Sequence, residues 1–275
     1  MMTDYYYGQG KVSLAVRQAG KPLNLRWVGD VDQLTVSFAS RSQMKQQAQK
    51  GIVHNTQKHI THQSCQVSAN FFTFSPENIA LAVFGQTLST KARASKEVLP
   101  MGLIAGGHYA LQQVNLWDVV IPGLTEGVDY RIDVNFGALE IIKTPLVQPI
   151  VVHYKYAGSD TIPFLTNKPL ELMLRYESVN LAEEMSPVLV ELYRLQFDVT
   201  DALELINNAT TLSSFELNAD VLLDTTRHAN DLFGQYGRYV ISRPITHSSQ
   251  GELTPVITTG AVGGTITTVY PKDAI

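Results

Sequence analysis

The strongest constraint in this sequence is a two-residue alternation of apolar and polar side chains. KVSLAV puts Val12, Leu14 and Val16 on one face, and QLTVSF does the same with Leu34, Val36 and Phe38. Period-two patterning marks strands with one buried face. The same signal recurs in CQVSANFFTF, PIVVHYKYAG, LELMLRYESV, PVLVELYRLQFDV and SSFELNADVLLD. DYRIDVNFGALEII reads as a hairpin that turns at Asn135 to Gly137, and GKP at 20–22 reads as a turn between the first two strands. The expected fold is mainly β.

One helix interrupts the alternation. In SPENIALAVFG, Ser75 is an N-cap, Pro76 fits the first helical position and Glu77 favours the positive helix end. Gly85 is expected to close it in a left-handed conformation, with Ile79, Ala82 and Val83 as the buried stripe. DALELI, 201–206, is expected to form a short helical turn capped by Thr200 or Asp201. Residues 91–157 read as short strands and tight turns, an inserted β-rich module that divides a domain made of 1–90 and 158–275. The Gly/Thr-rich end, GELTPVITTGAVGGTITTVYPKDAI, reads as an extended arm.

Composition narrows the function classes. The chain has 275 residues, 44% of them hydrophobic and only 17% charged, enough to bury a sizeable core. Its net charge of −4 argues against bulk nucleic-acid binding. A single cysteine, Cys65, leaves no intrachain disulfide and fits a reducing compartment. The N-terminus shows no signal-peptide pattern and no apolar run approaches a membrane span, so an intracellular, soluble chain is expected. Charge is unevenly spread. Residues 1–70 carry a net of +5 and residues 170–231 a net of −9. Opposite poles on one chain suit head-to-tail self-association.

No constellation for catalysis or metal binding stands out. His54, His59, His62 and Cys65 are zinc-compatible ligand types, but their spacing matches no finger and no second ligand pair supports them. Arg41 to Cys65 lacks the aromatics that would stack on nucleic-acid bases. Gly8-Gln9-Gly10 precedes a strand, which is the wrong context for a dinucleotide fingerprint. The carboxylate pairs Glu183-Glu184 and Asp198/Asp201 have no surrounding aromatic cluster of the kind a glycosidase needs. No enzymatic activity, metal or cofactor is therefore expected. The polar stretch from Arg41 to Ile60 reads as a long loop, a feature that is usually functional or disordered.

Taken together, YYYGQGKVSLAVR, LRWVGDVDQLTVSF, FFTFSPENIALAVFG, SPVLVELYRLQFDV and FELNADVLLD resemble the major tail tube proteins of long-tailed, siphovirus-like bacteriophages. The resemblance covers most of 5–90 and 165–240. It implies a tail-tube-type β-sandwich or barrel with a flanking helix, six copies per ring, and rings stacked into a hollow tube through which DNA is ejected. It also implies that the Arg41–Ile60 loop reaches a neighbouring subunit or ring. Two tube-like halves in a trimeric ring are an alternative consistent with the length.

The partners so implied are the chain itself, the tape measure protein and other tail proteins, with DNA passing through unbound and no membrane. The location implied is the virion tail, after assembly in the host cytoplasm. Arg41, Lys45, Lys50 and Lys58 are expected to dock on Glu171, Glu177, Glu183 and Glu184 of the next ring, and Tyr5, Tyr6 and Tyr7 to anchor an N-terminal arm. The rival readings are another virion ring or baseplate component, and a β-sandwich module that binds a host glycan. For the glycan reading, Tyr5 to Tyr7 and Tyr154/Tyr156 are the only aromatic hints.

Overall fold

Strand β15 (Ser186–Phe197) organises the computed structural model. The structure describes residues 5–49, 52–182, 186–208, 210, 212–228 and 232–242. The expected C-terminal arm lies outside them, as do Lys50, Glu183 and Glu184.

The chain is mainly β. It opens with β1 (Gly8–Gln18), β2 (Lys21–Pro22), β3 (Arg26–Trp27), β4 (Val31–Gln49) and β5 (Ile52–Phe71), followed by helix α1 (Pro76–Ala82). Shorter strands come next: β6 (Leu88–Thr90), β7 (Arg93–Val98), β8 (His108–Ala110), β9 (Leu116–Val120), β10 (Tyr130–Asp133), β11 (Ala138–Ile141), β12 (Val151–Tyr156) and β13 (Ser159–Thr161). Then come β14 (Leu172–Asn180), β15, β16 (Phe215–Val221) and β17 (Gly237–Ile241).

The main sheet is antiparallel, in the order β2-β1-β14-β15-β16-β5-β4, with β3 on β1 and β17 on β15. One edge of β15 pairs with β14. The other edge pairs with β17 from Val188 to Leu192 and with β16 from Leu195 to Phe197. The sheet therefore forks at β15 into two limbs, and both face one core. Val12, Leu14, Leu172 and Leu174 come from one limb, and Val67, Phe71, Phe215 and Leu217 from the other. Fully burying one such side chain contributes about 1.5–3 kcal/mol. The alternation in β16 is complete: Phe215, Leu217, Ala219 and Val221 point in, while Glu216, Asn218 and Asp220 point out.

The start of α1 is as expected. Ser75 accepts a hydrogen bond from the Asn78 amide, and Pro76 and Glu77 occupy the first turn. Its end differs. Phe84, not Gly85, takes the left-handed conformation at φ 50°. The Gly85 amide then closes the helix by donating to the Ala80 carbonyl at 2.8 Å. Gly85 is glycine for another reason: a Cβ there would lie 2.5 Å from the Pro163 carbonyl oxygen. Ala82 and Val83 are buried and Ile79 packs against the core. Asn78 ties the helix down, its amide nitrogen donating to the carbonyls of Val28 at 2.7 Å and Thr73 at 2.9 Å.

Three other sequence expectations are corrected. The first turn is Ala19-Gly20, with φ 50° and 78°, and Lys21–Pro22 already belong to β2. Residues 202–208 are irregular, not helical; the Thr200 hydroxyl bonds the carbonyls of Ala202 and Glu216, which ties the start of the segment to β16. Val16 and Phe38 share their strands' core faces, yet are 41% and 78% exposed because each lies past the edge of the core.

A second core is built from residues between 99 and 154, with Leu139, Ile141 and Val152 fully enclosed. Sheets β7-β12-β9 and β10-β11-β8 surround it. The β10–β11 hairpin pairs Asp133 with Ala138 and turns through Gly137 at φ 65°. The chain enters and leaves this region through a two-stranded neck, β6 against β13.

Candidate assembly surface

The stretch from Arg41 to Ile60 is not a loop. It is the outer part of a β4–β5 ribbon, paired from Val31–Phe71 to Gln49–Ile52. From Ser37 to Gln47 and from Asn55 to Gln63, every residue is exposed. At about 3.3 Å per residue the described bare part runs about 30 Å past Cys65. Periodicity could not reveal it, because a strand with no buried face has no apolar alternation to display.

The ribbon completes its own backbone. Two register shifts leave Thr61 and Thr56 unopposed on β5. The Thr61 hydroxyl donates to the Arg41 carbonyl at 3.3 Å, and the Thr56 hydroxyl to the Lys45 carbonyl at 3.1 Å. Such bulges increase local twist. Isolated two-stranded hairpins are marginal in water, so a bare ribbon of this length calls for a covering partner.

Between Phe38 and Ser64 the ribbon sequence has no carboxylate. Arg41 and Lys45 share one face of β4 with partners His62 and Gln57, while Lys58 opposes Met44 on the other. Phe38, Met44 and Ile60 are apolar and exposed on that second face. Cys65, by contrast, is buried at the root of the ribbon, where burial pushes its thiol pKa up.

The expected acceptors Glu171 and Glu177 are already engaged within the chain. Glu171 pairs with Arg194, and Glu177 with Arg175 at 2.6 Å. Each arginine is held further towards its charged form, chiefly by the hydrogen bond to that glutamate. Buried Glu191 bridges Arg175 and Arg238 at 2.6 and 2.7 Å.

Other carboxylates, which the sequence left without a role, lie together. Asp198, Asp201, Glu204 and Glu216 line a recess of about 380 Å³ between the 198–204 segment and β16. None of the four forms an ion pair among the described residues. A separate apolar groove of about 500 Å³ runs between α1 and β1, floored by Leu14, Val16, Leu81 and Leu172.

Tyr5, Tyr6 and Tyr7 lie along their own sheet, with exposed rings. Asn180 holds them: its side chain accepts from the Tyr7 amide at 2.8 Å and donates to the Tyr5 carbonyl at 2.7 Å. Of the other aromatic hints, Tyr154 is buried in the second core and Tyr156 packs against it. No described helix is long and apolar enough to cross a membrane.

A sequence family spans this whole arrangement, from the tyrosines to β17. The chain belongs to the family described as "Protein of unknown function UCP028589", which matches residues 5–240. No curated protein matches the chain. The family match covers the ribbon, the recess and both cores.

Proposed function

We propose that this family member is a structural subunit of a phage tail tube, which stacks as rings into the conduit for DNA ejection. One observation carries the reading: a ribbon whose described outer part, about 30 Å long, is bare on both faces and free of carboxylates, and which among the described residues has nothing of its own chain to rest on. A surface of that kind is made to be covered by another subunit.

A second observation supports it. The outward face of β16 and the adjoining part of β5 presents Glu216, Asn218, Asp220, Gln66, Ser68 and Asn70, with no cation. A conduit must let DNA slide, and each phosphate a cation neutralises adds affinity. The reading assigns no catalytic role to any residue, and its partners are copies of the chain and the other tail proteins.

Negative-stain electron microscopy of the concentrated protein tests the proposal. Hollow tubes of stacked rings are expected. Replacing Ser42–Ile60 by a two-residue turn should leave a folded chain that no longer assembles. Dispersed monomers across a range of concentration and salt would count against the tube, and a glycan-binding screen would then test the rival.

A further inference from the structure

The region of the second core carries a surface to which the tube reading gives no role. From the neck, β7 runs out to Val98 and β12 returns from Val151, and the loops 99–107 and 142–150 close the far end. At about 3.3 Å per residue, β7 sets that end about 20 Å beyond the neck. Met101, Ile104, Leu146 and Val147 stand exposed there. The two loops hold no carboxylate, and their one charged residue, Lys143, pairs with Asp129 at 3.6 Å.

This tip is built to lose its water. Gln148 ties the two loops together. Its side-chain oxygen accepts from the amides of Gly102 at 2.7 Å and Leu103 at 2.9 Å, and its nitrogen donates to the Leu103 carbonyl at 2.9 Å. The Ile104 and Ala105 amides donate to the hydroxyls of Tyr109 and Thr144, and the Gly106 and Gly107 amides to the carbonyls of Ile141 and Ile104. Every backbone amide from Gly102 to Gly107 therefore has an acceptor within the chain, so covering the tip strands no donor. A tip already fixed in shape also loses little freedom on docking.

The apolar groove between α1 and β1 is its counterpart. The groove is concave, and Leu23 and Leu170 rim the floor described above. One wall is braced by the Asn167 amide, which donates to the Phe84 carbonyl at 2.7 Å. The groove lies at the near end of the neck, where Thr87 lines it next to the Leu88–Thr161 pair. Val16, Leu23 and Leu170 are exposed in the same chain whose tip is exposed, so the tip does not fill the groove of its own chain.

We propose that the tip of one copy, led by Leu146 and Val147, packs into the α1–β1 groove of a second copy. This rests on the self-assembly reading above and gives residues 93–156 their part in it. Chemistry and shape select this occupant: both surfaces are apolar, one convex and one concave. Placement selects it as well. Tip and groove lie at opposite ends of the neck, so the contact is heterologous and repeats from copy to copy. A single kind of contact then covers two apolar surfaces that a lone chain leaves in water.

Disulfide trapping tests it. Cys65 is buried, so the unaltered chain serves as the control. A chain with Leu146→Cys and Leu170→Cys, oxidised with copper phenanthroline, should run on a denaturing gel as a ladder of covalent multimers. Each single variant should run as a monomer, because the contact joins unlike positions, and a mixture of the two should give dimers. Adding Met101→Asp and Val147→Asp to the double-cysteine chain should cut cross-linking on the order of ten-fold or more. Both positions are exposed, so thermal unfolding should stay unchanged and serve as the folding control. Tubes without a ladder, a ladder that survives the aspartates, or a single variant that dimerises as readily as the mixture would overturn the tip–groove contact and leave the tube standing. A ladder without tubes would keep the contact and overturn the tube. Neither tubes nor ladder would overturn both.

Discussion

Arg17 and Asp224 form a buried pair 3.0 Å apart, their side chains 3% and 4% exposed. Burial alone would raise the Asp224 carboxyl, but hydrogen bonds from Thr226 and Arg17 outweigh it and hold the pKa below the ordinary carboxylate value. Removing one partner of such a pair strands the other charge. Asp224→Ala should cost about 3–5 kcal/mol in urea unfolding. The pH dependence follows from the direction of the shift. Because the native pKa lies below the unfolded one, the contribution is present above the ordinary carboxylate range and is lost as pH falls through the lowered native value. Asp224→Asn should flatten the acid limb of the stability profile, and an unchanged limb would show that Asp224 does not govern it.

At the scale of elements, the second core has its own sheets and a two-stranded neck. Leu139 is fully buried there. Leu139→Ala should cost about 2–5 kcal/mol. Hydrogen exchange should place the lost protection in 93–156 and leave β14 and β15 unchanged; loss spread evenly over both regions would mean that the two cores unfold as one. The ribbon behaves in the opposite way. From Ser42 to Gln47 and from Asn55 to Ile60 it is exposed among the described residues, so its removal should cost little stability and much assembly.

Across the whole molecule, strand pairing interleaves the +5 of residues 1–70 with the −9 of residues 170–231, β1 on β14 and β5 on β16, and leaves the cations of the outer ribbon beyond that pairing. Salt should act on them. From about 0.1 M to about 1 M the screening length falls from about 10 to about 3 Å. Light scattering should show assembly weakening over that range if the charges of the ribbon carry the contact between copies. Assembly that strengthens with salt would instead point to the apolar face of Phe38, Met44 and Ile60.

What the sequence determined by itself was local. Alternation placed β1, β14, β15 and β16, and Ser75-Pro76-Glu77 placed the start of α1, because burial and capping act over a few neighbouring residues. The tertiary structure decided the rest. Only strand pairing turned a polar stretch into a ribbon, since two solvated faces leave no periodic trace. Only the approach of Pro163 explained Gly85, and only the tertiary structure tied Thr200 to the Glu216 carbonyl, beside an irregular 202–208. The acceptors moved for the same reason. Glu171 looks free in sequence, but the sheet brings Arg194 to it; Glu177 pairs with Arg175 two residues back along β14, and four other carboxylates line a recess without an ion pair among the described residues. Charge is written along the chain, but which charges remain unpaired depends on contacts between residues far apart in it.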